Sequence, residues 1–337
     1  MNMPQPPAAP ARRRIPLWVA LIPLALGIAI WGWLWRGHES RLAADLGRVL
    51  PPGAQVETGG FPYRLQARIQ PADILFDDTA LTASAKAAEA IVNRVPWQPD
   101  RQVISLRDTS ATLMLKPLQD ARMWVVAPGA QASLRLDGKI VSRLSIVWDQ
   151  PEIATGLFAG PVRAAQLEVH FRETPAPESV ATTPSSASPV FPTQAQLVLS
   201  GTDVRFGNGM PLALALESEF TARTALSSFA GWADDGTFEV RGATLSDATG
   251  EVARLTATLV PDGDDHLAIA GTIDTVCPAS VRAAIAGEPA PTELRARKPE
   301  RIAISGRLPG EVAATPRDAT KPPPPVRGQE PPCPRLR

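Results

Sequence analysis

Histidine, serine and cysteine are the side chains of this sequence that could act in nucleophilic catalysis, but their spacing does not assemble a known site. The histidines, His38, His170 and His266, lie far apart along the chain. The G-x-S-x-G motif, which exposes a nucleophilic serine at a strained turn, does not occur. We therefore predict a protein that is not an enzyme and has no cofactor, with the three histidines as surface residues.

Carboxylates and glycines give equally weak signals for metals and nucleotides. Asp262, Asp264 and Asp265 offer oxygen ligands that suit Ca²⁺, but the twelve-residue loop with its distal glutamate is missing. Neither an H-E-x-x-H pattern nor a C-x-x-C pair is present, so no zinc site is predicted. Gly207-Asn208-Gly209 lacks the third glycine of a dinucleotide loop. We predict turns at both places and no metal.

The two cysteines, Cys277 and Cys333, are the remaining reactive pair. In a compartment outside the cytoplasm such a pair can form a disulfide. The closed loop would stabilise the folded chain by about 4 kcal/mol in the loop-entropy model. The alternative is two unrelated thiols.

A long apolar segment, residues 15–35, sets the location expected for these groups. It is uncharged over 21 residues, and a helix of about 20 apolar residues crosses a bilayer. Three arginines precede it and four tryptophans lie within it, as expected for a cytoplasmic flank and interfacial anchors: Arg12, Arg13, Arg14, Trp18, Trp31, Trp33 and Trp35. A cleaved signal peptide is the alternative, but its apolar core is shorter and ends at small residues. We predict one retained transmembrane helix with a cytoplasmic N-terminus and a periplasmic remainder.

The charge balance argues against nucleic acid as a partner. The chain has 34 basic and 34 acidic residues. Without the three N-terminal arginines, the remainder carries three more acidic than basic residues. A basic footprint for a phosphate backbone is therefore absent.

Beyond the anchor, the hydrophobic period changes from helical to alternating. Apolar residues at 42, 46, 49 and 50 suit a short helix that ends at Pro51-Pro52-Gly53, or an extension of the anchor. From residue 61 on, apolar and polar residues alternate in many short runs. Asp137-Gly138 between two such runs predicts a tight hairpin with positive φ at both turn residues, and residues 278–286 read as a short helix that ends at Gly287. Residues 81–92 are ambiguous, and we favour a strand.

Many short antiparallel strands predict a mainly β fold: a curved sheet, a sandwich or an open barrel with a few short helices. The transmembrane helix precedes this domain. The predicted organisation is a cytoplasmic basic tail (1–14), the transmembrane helix (15–35), a membrane-proximal helix or linker (36–59), a periplasmic β-rich domain (60–308) with a disordered insert at 174–193, and a proline-rich tail (309–337).

The run Gly60-Phe61-Pro62-Tyr63-Arg64 resembles the G-F-P-[FY]-R signature of the bacterial family named domain of unknown function 2125. The resemblance extends to the Asp137-Gly138 hairpin and to residues 232–238, and covers most of residues 15–290. It implies an envelope protein of Gram-negative bacteria, anchored in the inner membrane, with a β-rich domain and no assigned activity. From the residues themselves, the motif reads as a structural corner that starts the sheet, or as a docking site for a partner.

Three functions are consistent with these observations. The first is a noncatalytic envelope protein whose β-rich domain binds a lipid-like ligand or a partner protein at the inner membrane. The second is a structural subunit that scaffolds an envelope complex. The third, an enzyme that acts on envelope components, would require a pocket with two buried carboxylates, or His170 beside a serine.

Overall fold

The structure is a computed structural model of the whole chain. The residues it describes are 17–48, 50–77, 81–115, 122–138, 140–155, 160–174, 192–222, 232, 236–262, 266–288, 297–308, 310–317 and 332–336. They form a mainly β protein, one antiparallel sheet of seventeen strands with two helices. The predicted mainly β class is thus confirmed. Of the predicted arrangements, a curved sheet, a sandwich or an open barrel, the described residues form a single sheet, and its two edge strands do not pair with each other.

The first helix, α1, spans Leu17–Gly47 without interruption, so the two predicted N-terminal segments are one helix. Pro23 lies inside it. Among the described residues, no helix combines the length and the apolar composition needed to cross a membrane. The described part of α1 therefore does not support the predicted transmembrane helix at 15–35. Residues 15 and 16 lie outside the described residues.

Seventeen strands follow. They are β1 (Val56–Gly59), β2 (Leu65–Ile69), β3 (Ala72–Asp77), β4 (Leu81–Val95), β5 (Gln98–Leu115), β6 (Met123–Asp137), β7 (Ile140–Asp149), β8 (Glu152–Thr155), β9 (Val162–Arg163), β10 (Gln166–Glu173), β11 (Thr193–Phe206), β12 (Leu212–Thr221), β13 (Thr237–Asp247), β14 (Gly250–Pro261), β15 (Leu267–Thr275), β16 (Glu300–Leu308) and β17 (Val312–Arg317). The second helix, α2, spans Pro278–Ala286 between β15 and β16. Proline in its first turn and Gly287 at φ 72° after its end bear out the predicted helix.

The sheet is a meander in which each row pairs with the rows next to it in sequence. Three rows consist of two short strands each, namely β2 with β3, β7 with β8, and β9 with β10. The ambiguous segment 81–92 is a strand, as favoured. At the predicted hairpin Asp137 pairs with Ile140, and Gly138 has a φ of 61°. Asp137 is the last residue of β6 and does not have a positive φ. The prediction of a positive φ at both Asp137 and Gly138 was therefore wrong for Asp137.

The points at which the three two-strand rows change from one strand to the other lie level with each other, and together with neighbouring positions of the continuous strands they form a crease across the sheet. The crease runs through Gln70-Pro71, Asp108, Gly129, Gln150-Pro151 and Asp203, which the cross-strand register places level with one another. Asp108, Gln150 and Asp203 have positive φ, a conformation typical of bulges and turns. The register passes through Asp108 without an extra residue, but the buried positions change parity at the crease, from Ala90 to Ala87 in β4 and from Ala130 to Ala127 in β6. Apolar side chains on both sides of the crease therefore stay on one face of the sheet.

Helices cover this face at the two ends of the sheet. At one end, the second half of α1 packs on β2, β3 and β4 with Trp35 and Leu42 fully buried. At the other end, α2 and the chain terminus pack on β14, β15 and β16 around Val252, Cys277 and Ile302. The predicted proline-rich tail differs from expectation here, because β17 and the buried Leu336 lie inside it. The insert at 174–193 falls largely outside the described residues.

Candidate functional site

Cross-strand partners share a face, so the register assigns every strand residue to one of two faces. On the face under α1, the partners across the middle of the sheet are Leu134 and Leu144, then Phe171 and Leu197. The opposite face, here called the polar face, carries Arg135, Arg143 and Gln196 at neighbouring positions. In these middle rows the register therefore separates an apolar face from a mainly polar one, which also carries Val147 and Val198.

The middle of the apolar face is not part of the hydrophobic clusters at the ends of the sheet. Most of its large side chains are partly buried, although Leu167 in the same rows is buried, whereas α1 and α2 each cover several fully buried side chains. Among the described residues, neither helix is part of a cluster with this region. We call it the open stretch, and it consists of Leu134, Leu144, Ile146, Val169, Phe171, Leu197, Leu199 and Leu216.

The family-like motif forms the turn that joins β1 to β2 and receives α1. Gly60 has a φ of 96°, and a Cβ there would lie 1.8 Å from the backbone oxygen of Arg64, so only glycine fits. The Phe61–Pro62 peptide bond is cis, which the sequence did not reveal. Trp31 Nε1 donates to the Pro62 oxygen at 3.1 Å, and Phe61 packs edge-on against Trp35 at 5.6 Å. The motif is a structural corner that fixes the helix to the sheet.

Exposed aromatic and aliphatic side chains concentrate at this end of the sheet, which we call the α1 end. Trp33, Phe61, Tyr63 and Trp97 are each more than half exposed. Trp97 belongs there because its turn joins Val95 to Gln98, next to the start of β2. The first half of α1 adds six exposed aliphatic side chains: Leu21, Ile22, Leu24, Leu26, Ile28 and Ile30.

The other predicted anchors and candidate sites divide as follows. Arg12, Arg13 and Arg14 lie outside the described residues, and Trp18 belongs to the start of α1.

Cys277 and Cys333 form a disulfide with Cα atoms 5.6 Å apart, which attaches the chain terminus to α2. Gly207 takes the positive φ of a turn. Asp264 and Asp265 lie outside the description, and in the described part of the chain no group of three or more potential ligands could hold a metal.

His170 has two polar neighbours on the polar face. Its Nδ1 lies 2.9 Å from Ser145 Oγ, and its Nε2 lies 3.4 Å from a Glu168 carboxylate oxygen. This order of side chains resembles a serine–histidine–carboxylate triad. Alternation along β7 and β10 places Ser145 and His170 on one face, but their contact could have been predicted only if the register of the two strands had been known. The site is open, because the His170 side chain is 44% exposed. The strand backbones on both sides are paired within the sheet and do not offer the free N–H groups of an oxyanion hole.

A shallow pocket of about 390 Å³ surrounds this pair. The polar lining residues are Arg143, Ser145, His170, Arg172 and Gln196, and Phe171 and Val198 complete the lining. Arg172 donates to the Gln196 side-chain oxygen at 2.7 Å. The lining combines the guanidinium donors of Arg143 and Arg172, which can bind a small anionic group, with apolar area from Phe171 and Val198.

Buried charge lies at the far end of the sheet from this pocket. Burial alone would raise the pKa of Asp247, but hydrogen bonds from Arg297 and Thr249 lower it below its ordinary value. The two partners are nearly inaccessible, at 3% for Asp247 and 9% for Arg297. The pair connects the end of β13 to the segment that leads into β16, so its role is structural.

The fold and this geometry define a class of protein, a single-sheet β protein whose apolar face is covered by helices at its ends and incompletely buried between them. The chain belongs to the bacterial family described as "Uncharacterized protein conserved in bacteria (DUF2125)", whose model matches residues 52–276. The matched region runs from the turn before β1 to the end of β15 and contains the open stretch. No curated protein and no solved structure matches the chain.

Proposed function

We propose that this protein is a noncatalytic envelope protein, anchored in the inner membrane, whose periplasmic sheet binds the hydrocarbon chains of a lipid on the open stretch. The observation that carries the proposal is the incomplete burial of eight large apolar side chains in the middle of one face. An apolar sheet face needs a second layer or a ligand, and exposed apolar patches of this kind mark binding surfaces.

The chemistry of the open stretch favours hydrocarbon over a peptide. It consists of leucine, isoleucine, valine and one phenylalanine on five successive rows. Neighbouring strands are about 4.8 Å apart, so these rows extend over roughly 20 Å. That span is close to the length of an extended acyl chain, whereas a peptide would bring backbone polar groups that this surface cannot satisfy.

The first half of α1 supports the proposed location. Its six exposed aliphatic side chains belong to the apolar segment predicted to span the membrane, and bulk water would leave them without partners. Exposed Trp33, Phe61, Tyr63 and Trp97 at the α1 end suit the interface between lipid and water. The disulfide is in keeping with an oxidising compartment.

The test is to purify the full chain in a mild non-ionic detergent and to quantify co-purified lipid by mass spectrometry. Leu216→Glu places a charge in the open stretch, and Ala215→Glu places the same charge next to it on the exposed opposite face. We expect Leu216→Glu to lower retained lipid at least tenfold and Ala215→Glu to leave it unchanged. Thermal unfolding of each variant checks that the sheet is intact.

Two results would contradict lipid binding. One is wild-type protein that carries no lipid beyond what the same detergent leaves on an unrelated single-span protein. The other is equal retention by Leu216→Glu and Ala215→Glu. Stable envelope partners recovered by crosslinking from the wild type but not from Leu216→Glu would instead favour the scaffold function, with protein rather than lipid on the open stretch.

A hydrolase is the second candidate, because His170 contacts Ser145 at 2.9 Å. In that case Ser145 would be the nucleophile, His170 the base and Glu168 the group that orients it. Ester hydrolysis by the wild type that disappears in Ser145→Ala would support this activity, and equal rates in the two proteins would exclude a role for Ser145.

A further inference from the structure

We propose that the polar face binds the phosphate-bearing headgroup of an anionic phospholipid in the bilayer, through a row of four arginines and the pocket beside it. The arginine row consists of Arg101, Arg135, Arg143 and Arg172. This lipid differs from the one on the open stretch, because the two sites lie on opposite faces of the sheet. The inference rests on the proposed location at the membrane but does not depend on hydrocarbon binding to the apolar face.

The four arginines are neighbours across four adjacent rows. Arg101 pairs directly with Arg135, and Arg135 pairs directly with Arg143. Arg172 follows Phe171, the partner of Leu144, so it lies beside Arg143. Like charges at directly opposed positions destabilise a sheet. A row of this kind is therefore costly for the protein alone, and an anion that bridges the arginines relieves the repulsion.

Within the described residues, one carboxylate forms an ion pair with the arginine row, whereas Glu168, on the same strand and face as Arg172, contacts His170 instead. Asp100 lies 3.3 Å from Arg135, and Asp137 ends the same strand. The arginines on the other half of the polar face differ from this row in that each has its own carboxylate partner. Arg254, Arg301 and Arg307 form close ion pairs with Glu251, Asp274 and Asp262, respectively.

The pocket supplies the geometry of an anion site. Arg143 and Arg172 line it from adjacent rows, and Ser145, His170 and Gln196 add further polar groups. A guanidinium binds phosphate oxygens in pairs, so two guanidinium groups and a hydroxyl can satisfy one phosphodiester. Its volume of about 390 Å³ is in the range of small-ligand sites.

Position favours a membrane lipid over soluble phosphate. Arg135 is two residues from the end of β6 at Asp137, or roughly 7 Å along the strand. The turn at exposed Trp97 lies on this same edge of the strands, next to the exposed rings of Phe61 and Tyr63. With those rings at the interface, the arginine side chains reach the layer of lipid phosphates.

The test compares headgroup selectivity rather than total lipid. Full-length protein in mild detergent is mixed with equal amounts of phosphatidylglycerol and phosphatidylcholine that have identical acyl chains, repurified, and analysed by lipid mass spectrometry. The test variant is R135Q/R143Q/R172Q. The control is R254Q/R301Q/R307Q, which removes the same charge from the same face where each arginine has a carboxylate partner.

We expect the wild type to prefer phosphatidylglycerol, the test variant to lose at least tenfold of that preference, and the control to keep it. One basic residue at an anionic membrane surface contributes about fivefold to binding. Arg143→Gln alone should therefore lower the preference about fivefold, which keeps the test readable if the triple variant does not fold. Total retained lipid reports separately on the open stretch, so failure of hydrocarbon binding and failure of headgroup binding give different results.

Three outcomes would overturn the proposal. They are a wild type without preference, equal losses in the test and control variants, and removal of the preference by inorganic phosphate at concentrations similar to those of the lipid. The last outcome would assign the pocket to a free anion.

Discussion

The apolar side chains of one face of the sheet are buried to different extents at the two ends of the sheet and in the region between them. At the α1 end, a helix packs Trp35 and Leu42 onto β2 and β4, and Asp45 adds an ion pair to Arg94 at 2.9 Å. At the α2 end, a short helix covers the face and a disulfide holds the chain terminus against it. Between them, the open stretch is only half-buried. Helices bury the face at both ends, whereas burial in the middle rows is uneven: Leu167 and Val204 are buried outside the helix-covered clusters, and the open stretch is only partly buried.

The largest expected effect tests whether the α2 end depends on its covalent link. Cys333→Ser removes a disulfide between residues 56 positions apart, and the loop-entropy model predicts a loss of about 4 kcal/mol in the free energy of unfolding. Urea unfolding of wild type and variant measures the difference. The wild type under reducing conditions should match the variant, and an unchanged midpoint would show that noncovalent packing alone holds this end.

The next effect concerns the buried ion pair at the same end. Asp247→Asn removes the carboxylate charge from a nearly inaccessible ion pair with Arg297, which should cost about 3 kcal/mol at neutral pH. Because the pKa of Asp247 is lowered in the folded state, its stabilisation is present above the unfolded pKa of about 3.9 and is lost as the pH falls through the lower folded value. Stability curves of wild type and variant should therefore converge in acid. A constant gap down to pH 2 would contradict this.

The α1 end is tested by Leu42→Ala. This side chain is fully buried, so truncation should cost about 2.5 kcal/mol through lost transfer energy and a cavity. Arg41→Ala, at the neighbouring exposed position of the same helix, is the control and should change stability by less than about 0.5 kcal/mol. Equal effects would show that α1 is not packed on the sheet in solution.

The smallest effect is expected in the open stretch. Leu216→Ala removes a half-buried side chain and should cost about 1 kcal/mol in lipid-free protein, less than Leu42→Ala. Added lipid should stabilise the wild type more than the variant, since a ligand that binds the folded state raises its stability. A cost as large as that of Leu42→Ala without lipid would mean that the face is fully covered and cannot serve as a binding surface.

Much of the sheet could be predicted from the sequence, because alternation and turn residues are local signals. The strands, the helix at 278–286 and the antiparallel class follow from them. The crease could not be predicted, because Asp108 and Asp203 take positive φ only in response to neighbouring rows. The arginine row and the Ser145–His170 contact depend on register between strands separated by loops, which periodicity within one strand does not encode. The Phe61–Pro62 cis bond had no signal beyond the proline itself.

The meander has an evolutionary consequence. Since each row pairs only with the rows before and after it, duplicating one hairpin would widen the sheet by two rows, or about 10 Å, while both helix-covered ends kept their contacts. Deleting a hairpin would narrow it by the same step. Relatives of different length could thus adjust the span of their apolar surface in hairpin-sized increments, much as repeat proteins change length by whole repeats.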